Sequence, residues 1–481
     1  MTDAERRFDL ASFQKANATM IATNDNAYGG NYNRQYRSRV KDYSPEEIQR
    51  IIESGSLSEQ QRLSRNYFYK DGYYKQIITH YATLLKYAGL LIPNPGFGKK
   101  LSTPHIEKRY YNALDFVERM SLPILLTNCA VRALVDGSYY GVIIALDKNN
   151  FAVLDLPSGY CTSRYKDLAG NDVIEFDVSY FNSIFDKDSK KAALAAYPKI
   201  ITDAYKKWNA GKRASKWVII PSEIGICFPF FDGRPLFLNV IPATIQYDQA
   251  VENEQEKDAE EIRKIIVQKV PHLTDGRLLF EPDEAEEMHL GAVGMLKGNK
   301  NVSVLTTYAD VDAIVSKAAS DTQSNTLERM LQNVYSQAGV SGQLFASNGS
   351  NTLESSIKND TALMMYLANK FSKFITYAIN TVYANSNISF KYMILPITYY
   401  NEEKYIDSSF KLASSGYSFL VPAVAMGLSQ KDIVNIKDLE NDVLNLGEKL
   451  KPLASSYTQS GDGDEGGRPK KEGEEKADKT V

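Results

Sequence analysis

From Leu327 to Ala338 the apolar residues Leu327, Met330, Leu331, Val334, Tyr335 and Ala338 fall at offsets 0, 3, 4, 7, 8 and 11. That is one unbroken stripe along the face of an amphipathic helix. The stripe stops at Gly339, and an uncharged polar stretch follows with Phe345 as its one aromatic residue. Thr352 then offers a capping hydroxyl and Glu354 a first-turn carboxylate. A second helix is marked by Ile357, Met364, Leu367, Phe371, Ile375, Ala378 and Val382, with no proline or glycine among them. At about 1.5 Å per residue it spans roughly 45–50 Å, long for a globular domain. Ordinary packing would make the pair a helical hairpin in a core. Yet the connection is longer than a tight helix–helix turn, and so long a helix needs a large surface, such as neighbouring copies supply.

Taken in order, the rest of the chain alternates helical and extended runs. Ser44-Pro45-Glu46-Glu47 is a capping box with proline at the first helical position, opening a helix through Ile48, Ile51 and Ile52. A second helix is predicted over 57–69; Asp71-Gly72 breaks it, and a third runs over 73–87. Residues 93–100 read as a loop, whose Gly98-Lys99 lacks the spacing of a phosphate-binding loop. One helix is expected over 106–135, then β runs over 139–146, 151–156 and 173–180. A helix over 188–209 and strands over 217–220 and 224–230 follow. Residues 241–270 read as one helix with an acidic middle (Glu252, Glu254, Glu256, Asp258, Glu260, Glu261), ended by Pro271. Over 275–309, short β runs at 277–280 and 302–306 are set among acidic and Gly-rich loops. A β run over 392–395 and helices around 403–414, 419–426 and 429–435 come last. Residues 1–43, with Lys15, Arg34, Arg37, Arg39 and Lys41, are expected to be a flexible arm, and 455–481 a disordered tail.

Composition narrows the classes. A chain of 481 residues makes two to four domains, and 43% hydrophobic with 24% charged residues suits a soluble globular protein. Thirty-one tyrosines suit either extensive interfaces or a Tyr-rich core. A net charge of −3 excludes a nucleic-acid binder that works through global charge, so any DNA contact is local or weak. Cys129, Cys161 and Cys227 are far apart in apolar surroundings and read as buried free thiols. The N-terminus has no signal-peptide hydrophobic run, and no window offers about 20 uninterrupted apolar residues.

Enzyme chemistry has no compact signature here. His80, His105, His272 and His289 are scattered without metal-ligand spacing, and there is no GxSxG and no Cys beside a His. Asp462 and Asp464 start like a calcium loop, but Gly473 stands where its glutamate is needed. The pairs Asp283/Glu284 and Glu286/Glu287 are either solvated charges or a divalent-ion site. The residues therefore predict no catalysis, no cofactor and no metal. A metal-dependent nuclease or nucleotidyl transferase with dispersed carboxylates is the enzyme alternative, and a tail or capsid adaptor a third reading.

Three stretches add a family resemblance. They are Ala338-Gly339-Val340-Ser341-Gly342-Gln343-Leu344-Phe345 with the Asn/Ser-rich loop and long helix after it; Phe231-Asp232-Gly233-Arg234-Pro235-Leu236 followed by a long helix; and the helix-to-strand step Ala133-Leu134-Val135-Asp136-Gly137-Ser138-Tyr139-Tyr140-Gly141. In this order, over about 60–450, they resemble the portal proteins of tailed bacteriophages. The resemblance implies an α+β, mainly helical fold with wing, stem, clip and crown, assembling as a closed ring, typically a dodecamer. Residues 1–43 would be an arm, 44–238 the wing, 239–274 the first stem helix, 275–313 the clip and 314–340 the second stem helix. Residues 341–351 would be the tunnel loop, 352–388 a long bridging helix, 389–454 the crown and 455–481 the tail.

Function follows from the same resemblance. Double-stranded DNA would be packaged through the ring by the terminase and later ejected, at one capsid vertex of the virion, after assembly in the host cytoplasm. Ser341, Gln343, Phe345, Ser347, Asn348, Ser350 and Asn351 would line the channel, while Leu344 or Phe345 could instead pack the loop base. Asp283, Glu284, Glu286 and Glu287 would contact terminase or adaptor at the clip. Capsid or scaffolding protein and head-completion or tail proteins are the other implied partners, with no membrane.

Overall fold

The capping box starts the first helix where the residues place it. In α1 (Pro45–Glu53) the Ser44 hydroxyl accepts from Glu47 N and the Glu47 carboxylate accepts from Ser44 N, both at 3.2 Å. The computed structural model describes residues 43–95, 104–168, 170–211, 214–262, 264–269, 282–295, 302–307, 320–340, 351–385 and 388–446. The N-terminal arm, except Tyr43, and the C-terminal tail expected from sequence lie outside these residues. The chain is an α+β protein.

α2 (Leu57–Lys70) and α3 (Gly72–Leu84) are divided at Asp71, whose carboxylate accepts from Tyr73 N and Tyr74 N at 2.8 and 3.1 Å. β1 (Gly89–Pro95) overlaps the stretch read as a loop, and its partner is the distant Ile388–Ile394, antiparallel from Gly89↔Ile394 to Pro95↔Ile388. The single helix expected over 106–135 is two, α4 (Pro104–Arg119) and α5 (Leu122–Asp136). Pro123 lacks the N–H that a continuous helix needs, and Ser121 turns the chain at φ +47.

β2 (Ser138–Leu146) and β3 (Phe151–Asp155) form a hairpin, and β4 (Cys161–Lys166) and β5 (Asp172–Asp177) a second. Pro198 splits the expected helix over 188–209 into α6 (Lys187–Ala196) and α7 (Lys199–Asn209). β6 (Trp217–Ile220) extends the second hairpin, and β7 (Gly225–Pro229) extends the first, giving antiparallel sheets β4-β5-β6 and β3-β2-β7. β2 is buried on both faces. Tyr139 and Ile143 join the main core, whereas Tyr140 and Val142 join a second core with Phe176, Phe181, Tyr197, Ile201 and Tyr205.

The chain then runs through α8 (Ile241–Ile262), β8 (Lys264–Lys269), α9 (Pro282–Met295), β9 (Val302–Thr307) and α10 (Ser320–Gln337). The helix expected over 241–270 thus ends early. Ile265, Ile266 and Val267 are β-branched, and their segment pairs with β9 rather than continuing the helix. The stretch 275–309, expected to be short β runs among loops, holds a 14-residue helix beginning at Pro282. The β run expected over 277–280 lies outside the described residues.

α11 (Asn351–Tyr383) is the 33-residue helix the pattern demands. Its Met364, Leu367, Ala368, Phe371, Ile375, Ala378 and Ile379 are all fully buried in the main core. β10 (Ile388–Ile394) runs back along it, and the edge of β10 that β1 leaves open is closed by α11 side chains. Ser372 and Thr376 hydroxyls accept from Ile394 N (3.1 Å) and Tyr392 N (2.9 Å), and the Asn380 amide bonds both N and O of Phe390 at 2.7 Å. Four helical residues advance about 6 Å and two strand residues about 6.8 Å, so the spacings match.

α12 (Glu402–Ser414), α13 (Leu420–Ala425) and α14 (Gln430–Asp438) follow, with a π turn over Leu439–Val443. Leu90, Leu395, Ile397, Val424 and Ala425 form a small third core beneath them. Among the described residues no helix is long and apolar enough to cross a membrane.

Candidate functional site

Two features stand out once the helices are in place: an arm made of a long helix pair with a βαβ unit between its helices, and the residues that precede 341–350. α8 and α10 pack against each other. Tyr247, near the start of α8, lies close enough to Tyr335, near the end of α10, to add to the rise that burial imposes on the Tyr335 phenol. The helices are therefore antiparallel. Tyr73 fixes the arm to α3, its ring edge-on to Tyr247 at 5.3 Å. At the far end of the arm, β8 and β9 pair in parallel from Lys264↔Val302 to Lys269↔Thr307, with α9 as the crossover packed on β9. Parallel neighbours require such a crossover.

The arm is acidic. α8 contains Asp248, Glu252, Glu254, Glu256, Asp258, Glu260 and Glu261 against Lys257. Partial burial, then the carboxylates of Asp71 and Glu252, raise the Asp248 carboxyl above its ordinary range. Asp283, Glu284, Glu286 and Glu287 are exposed in the first half of α9, where the helix dipole favours negative charge.

The loop base is built more tightly. α10 ends in a Schellman motif: Gly339 at φ +74, Gly339 N donating to Ser336 O (3.0 Å) and Val340 N to Tyr335 O (3.0 Å). Val340 is buried there. The Tyr81 hydroxyl stands between the Ala338 carbonyl (3.0 Å) and Asp360 Oδ1 (3.1 Å), while Asp360 Oδ2 lies 3.4 Å from His80 Nε2. α3, the end of α10 and the third turn of α11 are thus tied at one buried point. Burial and then Asp360 hold the Tyr81 phenol far above its ordinary pKa, so it is a hydrogen-bonding post and not an acid. Glu354, just beyond the loop, pairs with Lys358 (3.2 Å) and Lys404 (3.0 Å).

Of the residues expected to line a channel, Ser341, Gln343, Phe345, Ser347, Asn348 and Ser350 lie outside the described residues, as does Leu344, and Asn351 is the first residue of α11. Asp283, Glu284, Glu286 and Glu287, expected as a partner contact, share one helix. Tyr81, His80 and Asp360 escape sequence reasoning, because the contact joins residues 279 apart and no local pattern marks it. The two stretches around Gly137 and Gly233 meet in space. A side chain on Gly137 (φ +80) would come within 2.3 Å of Gly233 O and Arg234 C, and Phe230 N donates to Gly137 O at 2.8 Å.

Cys129 and Cys161 are buried and Cys227 is half-buried, all as free thiols. Burial raises all three, Cys227 to about 12, so they stay protonated and poorly reactive. Among the described residues, no group of three or more His, Cys, Asp or Glu side chains is placed to hold a metal ion. No protein-family model matches this chain, and no curated protein does either.

Proposed function

We propose that this chain is the subunit of a portal ring, the conduit at one capsid vertex through which terminase drives double-stranded DNA and from which the DNA later leaves. The observation that carries the reading is the arm. Two antiparallel helices leave the body and carry a βαβ module at their far end. They return through a Schellman stop into residues 341–350 and a 33-residue helix crossing the core.

The physical logic suits a conduit. Copies of α8 standing around an axis present carboxylates, which repel phosphates and leave the counterion atmosphere of DNA in place, so the polymer slides without being held. Lysine or arginine at those positions would bind and brake it. The stretch 341–350 carries no charge, and its Asn and Ser residues offer weak, exchangeable hydrogen bonds. In this reading it encircles the DNA and limits passage sterically. The exposed acidic and apolar face of α9 is the docking point for terminase and for head-completion or tail proteins, and capsid or scaffolding protein surrounds the wing. The protein supplies no catalysis; the terminase hydrolyses ATP.

The test is a packaging reaction with Asn348→Lys/Ser350→Lys and with a shortened loop. The lysine variant is expected to assemble normally but to slow packaging in a salt-dependent way. The short loop is expected to assemble but to impair packaging or DNA retention. Rings of both variants that package and retain DNA like the parent would overturn the placement of this loop at the channel.

A further inference from the structure

The buried point at the end of α10 has more acceptors than hydrogens. The Tyr81 hydroxyl carries a single hydrogen and lies within bonding distance of two acceptors, Ala338 O at 3.0 Å and Asp360 Oδ1 at 3.1 Å. All three residues are shut off from bulk solvent: Tyr81 is 2% exposed, Ala338 6% and Asp360 2%. The Tyr81 ring is also fixed, stacked on Phe237 at 4.9 Å and edge-on to His80 at 5.5 Å. A buried acceptor without its donor is costly, so the direction of that one hydrogen decides how firmly the end of α10 is held.

The protonation of Asp360 sets that direction. As a carboxylate Asp360 can only accept, and a charged oxygen draws the Tyr81 hydrogen more strongly than a neutral carbonyl does. Ala338 O then goes without it. As a carboxylic acid Asp360 can donate from Oδ1 to the Tyr81 oxygen, which releases the Tyr81 hydrogen to Ala338 O. One proton thus completes a relay of donors from α11 through α3 to the end of α10. The other carboxyl oxygen, Oδ2, lies 3.4 Å from His80 Nε2, which can donate to it in either state. Among the described residues, the titratable groups within reach of the Asp360 carboxyl are His80 and Tyr81, both on α3. Tyr400, ahead of α12, stands against the far side of the node, its ring 6.5 Å from that of His80. On α11 itself, Glu354 and Lys358 are exposed and pair with each other and with Lys404.

The relay ends on the closing turn of α10. That turn is made by Gly339 N donating to Ser336 O and Val340 N donating to Tyr335 O, and Val340 is buried within it. Holding the Ala338 carbonyl pins the turn to α3 and, through Asp360, to α11; releasing it leaves the turn to its own two backbone bonds, and a helix end so held opens more readily. Every group involved belongs to one copy of the chain, so the device stands or falls independently of the ring.

We propose that Tyr81 and Asp360 form a proton-operated latch: a proton on Asp360 turns the Tyr81 hydrogen to Ala338 O and fastens the end of α10 to α11, and loss of that proton loosens it. The test is amide hydrogen exchange of the full chain, read by mass spectrometry across the pH range in which circular dichroism shows the fold intact. Each rate is corrected for the intrinsic pH dependence of exchange. In the parent, protection of the Gly339 and Val340 amides is expected to rise as pH falls, by about five- to thirtyfold, with no such change over 364–379 in the core. Asp360→Asn, whose amide can donate to the Tyr81 oxygen at every pH, should stay protected throughout, and Tyr81→Phe should stay unprotected throughout. His80→Gln keeps a donor for Oδ2 but does not titrate, and should retain the parent's pH dependence. Should the asparagine variant lose its fold, the other three profiles decide. The latch is overturned by a parent whose protection does not change with pH, or by a change shared with the core. It is equally overturned by a pH dependence that persists in Tyr81→Phe or vanishes in His80→Gln, and by a folded Asp360→Asn as loose as Tyr81→Phe.

Discussion

Tyr81 shows how a single hydroxyl can set the geometry of a functional element. It has one hydrogen and two acceptors, the Ala338 carbonyl and Asp360, at 3.0 and 3.1 Å. Tyr81→Phe keeps the ring stacked on Phe237 at 4.9 Å but strips that donor from a buried carbonyl and carboxylate. A loss of about 1–3 kcal/mol is expected in urea unfolding; unchanged stability would show that the post is not needed. Gly137→Ala should cost at least about 2 kcal/mol, because strain at φ +80 adds to a clash with backbone that has nowhere to move. Thermal melts read that directly. Glu354 supplies a pH test. Hydrogen bonds from Lys404, then Lys358, hold its carboxyl below the ordinary range. Its stabilisation is complete above the unfolded value near about 4.3 and is lost as pH falls through the lower folded value. Glu354→Gln should therefore flatten part of the drop in melting temperature between about pH 5 and pH 3. At this scale the sequence is legible where chemistry is local. The Ser44 capping box and the Asp136-Gly137 stop can be read directly; the Tyr81–Asp360 contact cannot, since only the fold brings α3 to α11.

At the scale of elements, legibility followed the strength of the period. α11 was plain from its apolar stripe, and the helices after residue 402 from their punctuation. Two prolines, Pro123 and Pro198, were visible signals that split helices read as continuous. β8 was hidden because acidic, helix-favouring residues precede it, though Ile265, Ile266 and Val267 carried a strand signal. α9 was hidden by Gly291 and Gly294, which lower helix propensity but do not forbid a helix. The last three residues of β1, with its two prolines, read as part of a loop over 93–100, because the partner β10 lies far along the chain. The polar stripe Ser372, Thr376, Asn380 on α11 had a reason only once β10 was beside it. Asn380→Leu should cost about 2–4 kcal/mol, since Phe390 loses partners for both backbone groups. Equal stability of the variant would sink the role given to this ladder. For the arm, replacing 275–309 by a short Gly/Ser linker is expected to leave rings intact and to abolish terminase docking. Normal docking by such rings would remove the clip from that role.

For the whole molecule, the account joins three physical facts. A 33-residue helix buried along one face and two larger cores make the body. α8 and α10 pack antiparallel, with an acidic run along the α8 sequence, and several large apolar side chains near the C-terminal helices are exposed among the described residues. On the proposed ring reading, they belong to one copy among many around an axis, with the α8 carboxylates facing inward. The fold class and most elements could be read from the sequence, because they rest on local periodicity. The proposed ring and channel would depend on contacts between copies, which no single chain spells out. End-on negative-stain electron microscopy of the purified full-length protein tests that claim most directly. The account predicts closed rings with a central, stain-filled channel. A field of single, well-folded particles at micromolar concentration, with no rings, would contradict it.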